Sequence, residues 1–271
     1  MIFSRNLGLI TEEEQQKLHH QKVLVAGVGG MGGVAAEVLV RMGIGHLVLC
    51  DFDRYEDVNS NRQIHCHTEN YGKYKVDVLK NEFLKINPQL KIEVYRDEVS
   101  LTNVDKILCG VDVVVNGMDK MKASLILERT ARQKNIIIVD AWLTPYASVF
   151  VMDSSSPHWE DFLDLPTKNI PLDKLTDEIC QLAVKKEVQF TLSHFSPFSI
   201  IKKEFVEDIL NEKRPRPSMA PVVWLSGVLM ANEVFKIALG IPHVGHKGIF
   251  YNQYDHQLMD GNIPAFIKKV A

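Results

Sequence analysis

The stretch KVLVAGVGGMGGVAAEVLVRMGIGHLVLCD, Lys22 to Asp51, leaves this chain few folds to adopt. A short β-branched run ends in glycines. The helical run after it carries apolar residues at Val34, Val38, Leu39 and Met42, and Gly43 can end it. A second buried run, HLVLCD, finishes on an acid. Gly27, Gly29 and Gly32 form G-x-G-x-x-G at the strand-to-helix junction, with Gly30 and Gly33 also present. The first glycine permits a tight turn, the second lets backbone approach a phosphate, and the third lets helix and strand pack closely. The free amides of the helix start then favour an anion. Asp51 stands where a carboxylate accepts hydrogen bonds from ribose hydroxyls. Together these features point to an adenine nucleotide, without separating NAD from ATP.

The same alternation continues. KVDVLKNEFLKINP places Val76, Leu79, Phe83 and Ile86 at helical spacing, with Pro88 closing it. KIEVYRD, VDVVVNGMD and NIIIVDAW read as strands, and KASLILERTARQK as the helix between the last two. The expected fold class is α/β, a Rossmann-like, mainly parallel sheet with helices on both faces. After Asp153 the pattern loosens. SSSPHWEDFLDLPTKNIP reads as a long surface crossover loop, LDKLTDEICQLAVKK as a helix, VQFTLSHF as a strand and IKKEFVEDILNEK as a helix. RPRPSMAP is a second punctuated loop, feeding the apolar helix of APVVWLSGVLMANEVFKIALG, and GIFYNQYDHQLM supplies a last strand that extends the sheet into a mixed part. No linker divides the chain, so 1–271 is expected to be one domain.

Composition narrows the class. With 271 residues and 46% apolar content the chain can bury a sizeable core, and a net charge of -3 gives no global argument for nucleic acid. None of the four cysteines forms a Cys-x-x-Cys pair, which argues against zinc and against a disulfide framework. The first 22 residues hold three consecutive glutamates and no apolar run, unlike a signal or transit peptide. The apolar stretch Ala220–Gly240 contains Asn232, Glu233 and Lys236, which leaves too little to span a bilayer. The expectation is a reduced, cytoplasmic protein with no membrane partner.

The stretch DFDRYEDVNSNRQIHCHTENYGKYK points to the nucleotide's chemistry by what it adds beyond Asp51: Asn59, Asn61, Arg62, Gln63 and, further on, Lys75. Hydride transfer needs no second cationic pair at the pyrophosphate. Attack on an α-phosphate does, because the transition state and the leaving pyrophosphate gather negative charge. Arg62 can fork onto phosphate oxygens, and Lys75 supplies a compact charge. Asp119, ending VDVVVNGMD, sits where a divalent ion on those phosphates would need a carboxylate.

GVGGMGG, DFDRYEDVNSNRQ, YGKYK and NGMDK, in this order and spacing, resemble the adenylating enzymes of the ThiF/MoeB/ubiquitin-activating superfamily over roughly residues 1 to 150, and MAPVVWLSGVLMANEVFKIALG looks like that family's late proline-led helix. The resemblance implies ATP and Mg²⁺ as cofactors and a carboxylate acceptor, either the C-terminus of a ubiquitin-like or sulfur-carrier protein or a small-molecule acid. It implies a nucleotide-binding half, 1–153, and an acceptor-binding and dimerisation half, 154–271. Nucleotide contacts fall to Gly27, Gly29, Gly30, Gly32, Asp51, Asp53, Asn59, Arg62, Gln63 and Lys75, and magnesium to Asp119. FSRN resembles the family's N-terminal arginine motif, so Arg5 would act in trans within a homodimer.

The chain departs from that pattern in places. It lacks the zinc-binding Cys-x-x-Cys pairs of many members, and after Asp119 it runs Lys120-Met121-Lys122 where Asn and a Thr-Arg pair are usual. Cys180 is the one cysteine near the crossover loop, as a thioester nucleophile would be, but at the edge of the stripe Leu172, Leu175, Ile179, Leu182 and Ala183 it also reads as a packing residue. NSNRQIHC also resembles the bacterial enzyme that dehydrates and cyclises threonylcarbamoyl-adenosine in tRNA, a likeness not expected to persist into the second half. An NAD-dependent oxidoreductase and a non-catalytic nucleotide-binding scaffold are the other readings. His65-Cys66-His67 reads as a surface or substrate-lining feature rather than a metal pair, and Trp142 fits an acceptor pocket or the core equally.

Overall fold

Backbone hydrogen bonding joins eight strands into one sheet in the order β3-β2-β1-β4-β5-β6-β7-β8. The computed structural model describes residues 2–142, 145–193 and 216–260, with 202, 204, 205, 208, 213 and 214 between them. β1 (Lys22–Ala26), β2 (His46–Cys50), β3 (Lys91–Tyr95), β4 (Val113–Asn116) and β5 (Ile137–Asp140) are parallel. β6 (Ala147–Met152), β7 (Ile249–Asn252) and β8 (Gln257–Asp260) add antiparallel strands at one side. The fold is therefore the α/β, Rossmann-like sheet that the alternating pattern implies. From β1 the chain builds outward through β2 and β3, then returns to place β4 on β1's other side, with Ala26 beside Asn116. That reversal opens a crevice at the strands' carboxyl ends, where ligands of such sheets gather.

The helices are α1 (Glu12–His20), α2 (Gly30–Met42), α3 (Lys75–Ile86), α4 (Val104–Ile107), α5 (Met121–Gln133), α6 (Trp159–Phe162), α7 (Asp177–Leu192) and α8 (Ala220–Leu239). One core lies between the sheet and α2, α3 and α8, around Leu47, Leu79, Phe83, Val149 and Met230. The other holds Leu24, Val48, Leu127, Trp142, Phe150, Trp159 and Phe190 on the opposite face. α8 crosses α2 at close range: a Cβ on Gly227 would lie 2.6 Å from the Met31 carbonyl oxygen and 2.8 Å from Val34 Cβ. Among the described residues α8 is the one helix long and apolar enough to cross a membrane, and it packs on α2 and β6.

Three expectations for the second half are corrected. Val188 to Leu192 continue α7 rather than forming a strand. Their β-branched and aromatic character suggests a strand, but Ala183, Phe190 and Thr191 are buried at helical spacing, so tertiary packing decides. The buried stripe of α7 is displaced by one residue from the expected one: Cys180 is inside it at 7% exposure, whereas Leu182 is 55% exposed. The segment read as a surface loop is partly core, because Trp159 is 5% exposed and its ring lies 4.5 Å from Phe150 and 4.4 Å from Trp142. The helix expected over 201–213 lies largely outside the described residues, as does the end of the expected strand at 194–195.

Candidate active site

The crevice between β1 and β4 holds a cavity of about 360 Å³, lined by the glycine turn, the end of β2, the turn at 62–63, the start of α3 and the entry to α8. Gly27 shapes its floor. Its φ is +78°, and an added Cβ would lie 2.6 Å from the backbone of Gly117 and Met118, so a side chain is excluded by conformation and by space. Gly29 faces the cavity, and a Cβ added there would meet the Gln63 side chain at 3.7 Å. Gly30 also lines the cavity and abuts Val223 of α8. Gly32 does not line it; its Cα packs against the Gly27 carbonyl, which brings the helix onto the turn.

Asp51 is 9% exposed, and two backbone amides fix its carboxylate: Val28 N donates to Oδ2 and Asp53 N to Oδ1, both at 2.8 Å. Burial raises its pKa, while the charge of Lys75 and these amides pull it down. Lys75 is 5% exposed, and its Nζ donates to Asp53 Oδ2 at 2.9 Å. The first turn of α3 thus carries a buried ammonium to the cavity wall, between two carboxylates. Arg62 also lines the cavity, with its guanidinium donating through Nη1 to the Val58 carbonyl at 3.0 Å and to Asn61 Oδ1 at 2.8 Å. Gln63 is 6% exposed, lines the cavity, and has no hydrogen-bond partner at Oε1 among the described residues.

Not every expected residue meets there. Asn59 is buried but does not line the cavity; its Oδ1 accepts from Glu56 N and stabilises the turn that presents Arg62 and Gln63. Asp119 lies exposed in the cavity wall. Arg5, in a short 3-10 turn, is exposed and away from its own chain's cavity. Cys180 packs with Leu125 and Leu175, and burial raises its pKa, the reverse of what activates a thiolate. His65 Nε2 meets Glu37 Oε2 at 3.0 Å, and among the described residues no cluster of three or more His, Cys, Asp or Glu is arranged to hold a metal.

Trp142, which the sequence left between an acceptor pocket and the core, and two residues not singled out there complete the wall. Trp142 lines the cavity, and its buried Nε1 has no hydrogen-bond partner among the described residues. Arg216 and Ser218 enter from the second punctuated loop. The Arg62 turn is held by residues far along the chain: Trp224 Nε1 donates to the Arg62 carbonyl at 2.8 Å, and Asn61 Nδ2 to the Ser218 carbonyl at 2.8 Å. The only sequence signal for Arg216 and Ser218 was the Arg-Pro-Arg-Pro run before the apolar helix.

A glycine turn, a buried acid beyond the next strand and cations thus gather around one crevice of an α/β protein. Residues 3–268 match the model of the ThiF family, and the chain belongs to that family. It is similar to the tRNA threonylcarbamoyladenosine dehydratase of Bacillus subtilis (strain 168), 29% identical over 243 residues, 86% of this chain and 92% of that one. This likeness runs into the second half, contrary to the expectation from NSNRQIHC alone. It is also similar to the molybdopterin-synthase adenylyltransferase of Haemophilus influenzae, 28% identical over 160 residues, 58% of this chain and 65% of that one. The match to ubiquitin-like modifier-activating enzyme 5 of Caenorhabditis elegans, at 29% identity, spans only 36% of that protein. Among solved structures, Escherichia coli MccB with succinimide has a TM-score of 0.70 at 20% identity, covering 97% of this chain and 71% of that one. Escherichia coli tRNA N6-threonylcarbamoyladenosine dehydratase, TcdA, has a TM-score of 0.62 at 22% identity, covering 88% and 94%. These structural likenesses speak to the fold.

Proposed function

We propose that the chain is an ATP- and magnesium-dependent adenylyltransferase that activates a carboxylate as its acyl-adenylate. The observation that carries this reading is Lys75, buried at 5% exposure, facing the same cavity as Arg62, Asp51 and the glycine turn. An oxygen of the acceptor carboxylate attacks the α-phosphorus. The bond from that phosphorus to the bridging oxygen breaks, and its electron pair leaves with pyrophosphate. No proton has to move, because a carboxylate is already the nucleophile at neutral pH. The protein's task is alignment and charge neutralisation in a partly dry cleft.

Asp53 holds Lys75 in place before ATP arrives. Both hydrogen bonds of Arg62 leave from Nη1, so its other edge is available to phosphate oxygens. Asp51 would accept from the ribose. Asp119 would hold magnesium together with the substrate's own phosphates, since this ion needs only one or two protein carboxylates. When bound, the ion would supply further neutralisation of phosphate charge. Arg5, exposed and outside its own cavity, would reach the cleft of a second copy. Trp224 and Val228 on α8, 41% and 42% exposed and one turn apart, fit a face that such a copy covers. Cys180 takes no part in this scheme.

The acceptor would be the C-terminus of a ubiquitin-like or sulfur-carrier protein, or a small acid. The 243-residue match to a tRNA-modifying dehydratase favours a second reading in which the activated carboxylate belongs to a modified tRNA base, whose own side chain attacks the acyl carbon to close a ring as AMP leaves. Acceptor-dependent exchange of labelled pyrophosphate into ATP tests both, using lysate fractions with and without ribonuclease treatment. Exchange that survives ribonuclease supports the first reading, and exchange abolished by it supports the second. No exchange with any fraction, in a chain that still binds ATP, leaves a nucleotide-binding scaffold. Thermal stabilisation by NAD instead of ATP would mark an oxidoreductase.

A further inference from the structure

A second cavity of about 50 Å³ adjoins the nucleotide cleft, and Met118, Asp119 and Arg216 line both. Its wall contains Glu128 of α5, Asp140 at the end of β5 and Glu187 of α7. Three carboxylates rarely share so small a space without cations to match. Asp140 is tied down, accepting from Asn116 Nδ2 at 2.8 Å and from Ala141 N at 2.6 Å. Glu187 has the charge of Arg216 near it. Glu128 is 7% exposed, faces the cavity, and has no hydrogen-bond or ion-pair partner among the described residues. The neighbouring Arg129 does not serve it, because its guanidinium grips both oxygens of Glu160 at 2.7 Å and donates to the carbonyls of Thr167 and Ile170.

The geometry points to a cation subsite: the acid cavity receives an ammonium or guanidinium head on the acceptor whose carboxylate is adenylated in the adjoining cleft. This rests on the adenylation reading for the carboxylate end alone. The volume admits a few water-sized groups, which suits a cationic head and excludes an aromatic ring. Burial holds the carboxyls of Glu128 and Asp140 well above the usual range and that of Glu187 up to about 7, so a bound cation would draw protons off them. The same head occurs in a free amino or guanidino acid and in a basic residue near a peptide's end.

Titration calorimetry of the full chain, held with α,β-methylene-ATP to block turnover, tests the subsite with butylguanidinium and butylammonium chloride. The expected result is saturable binding with proton release, weakened about tenfold or more in Glu128→Gln and in Glu187→Gln while affinity for the nucleotide analogue is unchanged. No saturable binding to the native chain, or binding by both variants as tight as the native chain's, overturns the subsite. Pyrophosphate exchange then separates the sources, with 4-guanidinobutyrate set against butyrate and the tripeptide Gly-Arg-Gly against Gly-Ala-Gly. Failure of every acid to support exchange, alongside cation binding lost in the variants, would leave the subsite standing and remove adenylation.

Discussion

Replacing Lys75 with methionine keeps the length of a buried side chain and removes its charge, which separates a phosphate contact from a structural ion pair. Lys75 Nζ lies 2.9 Å from Asp53 Oδ2, but the Asp53 side chain is 49% exposed. Water already screens that carboxylate, so losing the pair should cost about 1–2 kcal/mol of stability rather than the larger sum a fully buried pair would lose. Asp51 keeps its two backbone donors, so the ribose end of the site should persist. The loss at a phosphate is different. A charge-assisted hydrogen bond contributes about 1.5–3 kcal/mol, and the Coulomb energy of one charge pair at 4 Å in a medium of effective dielectric 20, about 4 kcal/mol, sets the ceiling. ATP affinity should therefore fall roughly 10- to 150-fold. Adenosine, which has no phosphate, should bind within about threefold of the native chain. Calorimetric titration with each ligand measures both numbers. Equal weakening of ATP and adenosine would mean that Lys75 maintains the site's shape instead of meeting phosphate, and an unchanged ATP affinity would place the phosphates elsewhere.

Three further outcomes are expected. Gly27→Ala forces a non-glycine residue to φ +78° and drives its Cβ to 2.6 Å from the Gly117 backbone, so urea unfolding should show a loss of about 3 kcal/mol or more. Burial raises the Glu187 pKa from 4.5 to about 7, so the unfolded chain releases this proton first and the group's contribution to stability falls as pH rises between those values. Glu187→Gln should accordingly gain on the native chain by on the order of 2 kcal/mol between pH 5 and pH 8, read from unfolding midpoints at each pH. Arg5→Ala and Lys75→Met chains, each inactive in pyrophosphate exchange, should recover about a quarter of native activity when unfolded and refolded together in equal amounts, since each mixed dimer has one intact site. No recovery would place Arg5 outside the partner's site.

Local periodicity made the nucleotide half legible. Gly27 to Asp51 sit in a strand, turn, helix and strand whose apolar spacing, glycine positions and final acid all agree. What escaped detection depends on contacts between distant parts of the chain. Trp224 and Ser218 hold the Arg62 turn from more than 150 residues away, and Arg216 completes the cavity wall by folding alone. Val188 to Leu192 have the composition of a strand, yet the burial of Phe190 and Thr191 follows the helical stripe begun by Cys180 and Ala183. Trp159 lies in a segment rich in serine and proline, and only its contacts with Trp142 and Phe150 show that the segment turns inward. Asn59 matched a motif by spacing, whereas its side chain stabilises a turn.

The central claim concerns where a triphosphate lies relative to two cations. A crystal structure of the chain with magnesium and α,β-methylene-ATP measures this directly. The account predicts the Lys75 ammonium and the Arg62 guanidinium within about 3 Å of phosphate oxygens, with Asp51 on the ribose. A nucleotide bound with its phosphates turned away from Lys75 and Arg62 would contradict it.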